Sequence, residues 1–124
     1  MRLQVGENNN VVVTVTELTT IDNPYYLFEF ITLTNVPYRT IRNGADNIST
    51  ETQRYDEFTG FDNIQPHTVG TGIYKIYQQT SDTNLDPTLS QGLVETGIVE
   101  VFANPTEITN KTYNASITNK VYNG

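Results

Sequence analysis

Short apolar runs alternate along this chain with stretches of Thr, Asn and Gly. In Val11-Val12-Val13-Thr14-Val15-Thr16 the valines at 11, 13 and 15 recur at every second position, which predicts a first strand with those three on one face. Asp22-Asn23-Pro24 is a turn signal, because Pro24 pushes the residue before it out of helical dihedrals. The most apolar run is 25–33. Tyr26, Phe28 and Phe30 share one face of it, and Tyr25, Leu27, Glu29, Ile31 and Leu33 share the other. Two largely apolar faces predict a strand covered on both sides.

The middle of the chain carries weaker periodicity. Asn35-Val36-Pro37 and residues 43–47 are turn signals, with a short strand expected at 38–42. Residues 48–59 read as a strand followed by a loop. Gly70 and Gly72 flank a turn or bulge, and Ile73-Tyr74-Lys75-Ile76-Tyr77 alternates as a strand within 69–78. In the connection 80–92, Asp86 and Pro87 are placed to open one short helical turn. Residues 93–102 predict another strand, kinked at Gly97, with Val99 and Val101 facing the same way. A last strand is expected at 107–113.

Six to eight short strands separated by turn residues predict a single all-β domain over 1–124, an antiparallel β-sandwich of Ig-like or jelly-roll-like type with short connecting turns. A sandwich is preferred to a small barrel because the connections vary in length. Residues 1–10 and 112–124 are the least able to bury surface and are expected to form flexible arms.

Composition supports the β reading. Thr occurs 20 times and Asn 14 times in 124 residues, while Ala and Lys, both strong helix formers, occur three times each. Thr is β-branched and suits strands, and Asn suits turns. Fourteen acidic against seven basic residues leave a net charge of -7, which argues against a nucleic-acid partner. No Cys is present, so no disulfide or thiolate chemistry is expected. The run Met1-Arg2-Leu3-Gln4-Val5-Gly6 lacks the apolar segment of an export signal. No stretch approaches the roughly 20 apolar residues of a membrane helix, so no membrane partner is expected. The expectation is a protein made and kept soluble in a cytoplasm.

Candidate chemistry is thin. Asp82, Asn84 and Asp86 alternate like the opening of a calcium loop, but Pro87 and Leu93 stand where that loop needs Gly and Glu. A turn whose side chains satisfy backbone groups is preferred there, with a calcium site built from distant ligands as the alternative. His67, the single histidine, reads as a solvated loop residue rather than a catalytic one, since no Gly-x-Ser-x-Gly accompanies it. The acidic pairs Asp56 with Glu57 and Glu95 with Glu100 invite a glycosidase comparison. A domain this small leaves little room for the cleft, so no enzyme and no cofactor are expected. The glycosylation triplets at Asn47, Asn110 and Asn114 are expected by chance in an Asn- and Thr-rich chain. Of the eight Tyr, Tyr25, Tyr38, Tyr55, Tyr113 and Tyr122 fall near strand ends or loops and are candidate interface residues, with packing at the sandwich rim as the alternative.

Residues 11–20, Asn23-Pro24-Tyr25-Tyr26-Leu27-Phe28-Glu29-Phe30, Ser81-Asp82-Thr83-Asn84-Leu85-Asp86-Pro87 and 92–101 together form a pattern. It resembles that of small virion structural proteins of tailed bacteriophages, especially the crAss-like phages of Bacteroidetes hosts. The resemblance runs over most of 11–102, and residues 34–70 fit it less well. It implies a non-enzymatic part of the phage particle, located in the virion and bound to the major capsid protein or other virion proteins. A capsid auxiliary or decoration protein fits best, and a neck or tail component is the nearest alternative. A homo-oligomer is compatible with either. A glycan- or host-binding β-sandwich module is a second class, weakened by the lack of Trp.

Overall fold

A computed structural model describes residues 1–33, 36–62, 64 and 69–103. Among these, seven strands form two sheets. The strands are β1 (Arg2–Gln4), β2 (Asn9–Val13), β3 (Tyr25–Thr32), β4 (Tyr38–Asn43), β5 (Asp56–Phe61), β6 (Gly70–Gln79) and β7 (Leu93–Phe102), with one α-helical turn, α1 (Val15–Leu18), and short 3-10 turns at Gly44–Asp46 and Pro87–Leu89. The larger sheet has the order β1-β7-β6-β3-β4, and β2 pairs with β5 in the smaller one. The expected all-β sandwich-like fold is present. Its larger sheet is mixed, because β1 runs parallel to β7 while the other pairs are antiparallel.

The core lies between the sheets and is dominated by aromatic side chains. Phe28 and Phe30 of β3 meet Phe58 and Phe61 of β5, and all four are buried. Phe28 lies edge-on to Phe58 and Phe61 with ring centroids 5.7 and 5.0 Å apart, the geometry that aromatic quadrupoles favour. Ile76, Val99 and Val101 complete the floor from β6 and β7. β3 is flanked by β6 and β4 and nearly buried along its length, as its two apolar faces predict.

Several expectations need correction. Residues 1–10 do not form a free arm. Leu3 and Val5 are buried in the core, Val5 donates to the Phe102 carbonyl at 3.0 Å, and the terminal amine reaches the Ile98 carbonyl. Burying a leucine and a valine stabilises by about 1.5–3 kcal/mol each, enough to hold a three-residue strand. The first predicted strand ends at Val13 instead of Thr16. Val15 still points into the core, but the chain turns helical there because Asp56 takes both the amide and the hydroxyl of Thr16. In 48–59 the order is reversed, with a loop first and β5 beginning at Asp56.

Gly97 does not kink β7. Tyr74 lies across it, and a Cβ there would come within 2.6 Å of the ring. Gly72 plays the same part against the backbone of Ile31 and Thr32. The register shift of this pair falls between Ile76 and Tyr77. The short helical turn after Asp86 is present at Pro87–Leu89. The expected arm at 112–124 and strand at 107–113 lie outside the described residues.

Candidate interaction face

Polar side chains close the sandwich at its edges. Asn9 pairs with both backbone groups of Gln4 at 2.9 and 3.0 Å and donates to the Phe61 carbonyl at 2.8 Å, tying edge strand β1 to β5. At the opposite edge Arg42 of β4 donates to the Thr59 and Gly60 carbonyls of β5 at 3.0 and 2.6 Å, and its guanidinium lies 4.1 Å from the Phe61 ring centre. Burial lowers the Arg42 pKa. Between these edges Glu95 accepts from the Thr14 amide and hydroxyl and from the Tyr74 hydroxyl at 2.7, 2.9 and 2.6 Å. Burial first, and then this bond to a carboxylate, push the Tyr74 pKa up. Gln78 exchanges two bonds with Thr20. These groups are directed into the fold, and two of them, Asn9 and Arg42, satisfy backbone groups of β1 and β5.

The candidate carboxylates are not assembled into a site. Asp56 is buried and Glu57, its neighbour on β5, bonds Asn10 on the opposite side of the strand. Glu95 points under Tyr74, while Glu100 is exposed on the other face of β7. In the 80–92 connection Asp86 accepts from the Thr88 amide and hydroxyl, which lowers its pKa, and Asn84 accepts from the Asp86 amide. This is the turn geometry the sequence favours over a calcium loop, and no group of three metal-ligating side chains occurs among the described residues. An open groove of about 580 Å³ lies beside Arg42, Asp46, Asn47 and Ile48, but the Arg42 donors facing it are taken by carbonyls and by the Thr40 hydroxyl. His67 lies outside the described residues.

Of the tyrosines singled out from the sequence, the three among the described residues do not converge. Tyr25 sits on the outer face of β3, Tyr38 stacks on Phe30 with centroids 5.8 Å apart, and Tyr55 lies in the loop before β5. All three are half-buried. Tyr113 and Tyr122 lie outside the described residues.

What the structure does assemble is the outer face of the five-stranded sheet. Register places its outward residues in rows across the strands. One row runs Arg39, Glu29, Lys75. Glu29 is buried there, bonded to Arg39 at 2.8 Å, and its charge helps burial to raise the pKa of Tyr77. To one side of this row the face is covered by the 80–92 connection: Gln79 is buried and bonds the Ser81 and Asn84 carbonyls, and Leu27 is fully buried. To the other side none of the described residues is folded over the face, and the next row runs Ile31, which is half-buried, then Ile73 and Ile98. Ile73 is 46% and Ile98 62% exposed. The outward side of a solvated sheet is ordinarily polar, so three β-branched apolar residues in direct cross-strand register form a stripe that water does not favour.

The sequence reading missed these isoleucines. Each stood in an alternating strand, and only the pairing of three strands joins them. Compared with known protein families and with curated proteins, the chain matches none of either.

Proposed function

We propose that the protein is a non-enzymatic structural component of a tailed-phage particle, in the first place an auxiliary or decoration protein that binds the major capsid protein on the assembled head. The observation that carries this reading is where the phage-like blocks fall. Residues 23–30 enter and form most of β3, 92–101 form most of β7, and 81–87 form the first part of the connection folded over the outer face. The resemblance therefore rests on the scaffold and on the segments that shape its surface. A small sandwich whose polar side chains are bonded inward is suited to bridging neighbouring proteins. Such a bridge stabilises a shell because it binds only the assembled state.

The test is made on particles. Heads assembled without this chain are expected to form and then lose their DNA at a lower temperature than complete heads, and adding purified protein is expected to restore the difference. Failure of heads to join tails, with head stability unchanged, favours the neck or tail reading. Intact, infectious and equally heat-resistant particles would sink both.

A further inference from the structure

The isoleucine row is flanked by charges of opposite sign. Lys75 stands two residues from Ile73 on β6, on the covered side of the row, and Glu100 stands two residues beyond Ile98 on β7, on the other side. Neither has an ion-pair partner within 4.0 Å among the described residues. The residue paired with Glu100 on β1 is Arg2, but its guanidinium is stacked 4.6 Å from the Phe102 ring centre. A cation and an anion thus border an apolar stripe that the chain's own connection leaves uncovered.

This arrangement is self-complementary. A two-fold axis laid along the row, in the plane where two such faces meet, sets Ile31, Ile73 and Ile98 each against its own copy. It also exchanges the two flanks, so the Lys75 flank of one copy faces the Glu100 flank of the other. These two residues are then offset sideways by one strand, about 4.8 Å, across the roughly 10 Å between the sheets, a gap that extended lysine and glutamate side chains close between them. The pair is made twice, as an isologous contact requires. Face-to-face sheets pack about 10 Å apart, which leaves room for the two opposed rows of isoleucines between them.

We propose that this half of the outer face, centred on Ile73 and Ile98, is the interface of a symmetric homodimer with Lys75 and Glu100 paired across it. The dimer forms without a particle, so it stands or falls apart from the proposed role on the head.

The experiment is sedimentation of the full-length protein over a concentration series. A reversible dimer is expected. Ile73→Thr, which keeps a β-branched residue in the strand, and Ile98→Asp are each expected to weaken it by tenfold or more, on the order expected for residues at the centre of an interface. Lys75→Glu places like charges together and weakens the dimer by roughly tenfold, and Lys75→Glu combined with Glu100→Lys restores it to within about threefold. Because the chain has no Cys, the Ile98→Cys protein supplies a second readout: a short bis-maleimide is expected to link two copies through that position, since opposed backbones about 10 Å apart lie beyond the reach of a direct disulfide. A chain that stays monomeric near millimolar concentration overturns the proposal. So does a dimer insensitive to both isoleucine changes, or one in which the two charge reversals simply add. Face coverage by residues 104–124 or by a different protein would appear as the monomeric outcome.

Discussion

Asp56 gives the sharpest test of how the two sheets are held together. Its buried carboxylate accepts the Thr16 amide at 2.8 Å, the Thr16 hydroxyl and the Asn47 side-chain amide. Asn47 in turn accepts from the amides of Ser49 and Glu57 at 3.0 and 2.9 Å, so α1, the 44–49 turn and β5 meet at one point. Asp56→Ala removes the acceptor and leaves at least the Thr16 amide and one Asn47 hydrogen facing the vacated space. Each orphaned buried donor costs about 1–3 kcal/mol. Removing the carboxylate also removes its own desolvation penalty, which offsets part of this loss. The net expectation is about 2–4 kcal/mol for Asp56→Ala. For Asp56→Asn, which keeps one oxygen but turns an amide toward a donor, it is about 1–2 kcal/mol. Urea unfolding followed by circular dichroism reads the change as a lower midpoint at unchanged slope, and a loss of 3 kcal/mol moves the midpoint by about 1–3 M. A double-mutant cycle with Asn47→Ala is expected to show coupling above about 0.5 kcal/mol. A midpoint for Asp56→Ala within about 0.3 M of the parent protein would refute the reasoning.

The other expectations concern close approach, bridging and pH. Gly72→Ala should be far more damaging than Gly97→Ala, because the Cβ at 72 meets the Ile31 and Thr32 backbone while that at 97 meets the Tyr74 ring, which can shift. Overpacking of the second kind costs about 1–3 kcal/mol. Parallel melting curves check the order, and equal losses would contradict it. Arg42→Lys keeps the charge but not the fork that reaches both Thr59 and Gly60, so a loss of about 1–3 kcal/mol is expected in urea, and full stability in that variant would count against the bridge. Tyr74 titrates above its ordinary value of 10.0, so its contribution is complete below pH 10 and declines as pH rises toward its folded pKa. Alkaline melting series should show this decline, weakened in Tyr74→Phe. An identical slope in the variant would place the effect elsewhere.

How much of this was readable from the sequence follows from how local each cause is. β6 and β7 are announced by their own alternation, and the Asp86-Pro87 turn by two adjacent residues. The break after Val13 is not, since Val11, Val13 and Val15 continue the period unchanged and the group that turns the chain is Asp56, 40 positions away. Leu3 and Val5 offer only two apolar positions among polar neighbours. What makes them a strand is a parallel partner at the far end of the described chain. The isoleucine row has the same character: a shift of one residue in either pairing would turn those side chains to the opposite face, and register is set by the fold as a whole. Composition identified the fold class, while the face that distinguishes this sandwich emerged only from strand order.

The central claim is a structural place on a phage particle, and the most direct measurement is the number of copies of this chain per purified particle, by quantitative mass spectrometry against the major capsid protein. A decoration protein follows the repeated symmetry of the shell, so the account predicts on the order of hundreds of copies. About six to twelve copies would place it in a closed ring at the neck or tail. Absence from the particle would contradict the claim.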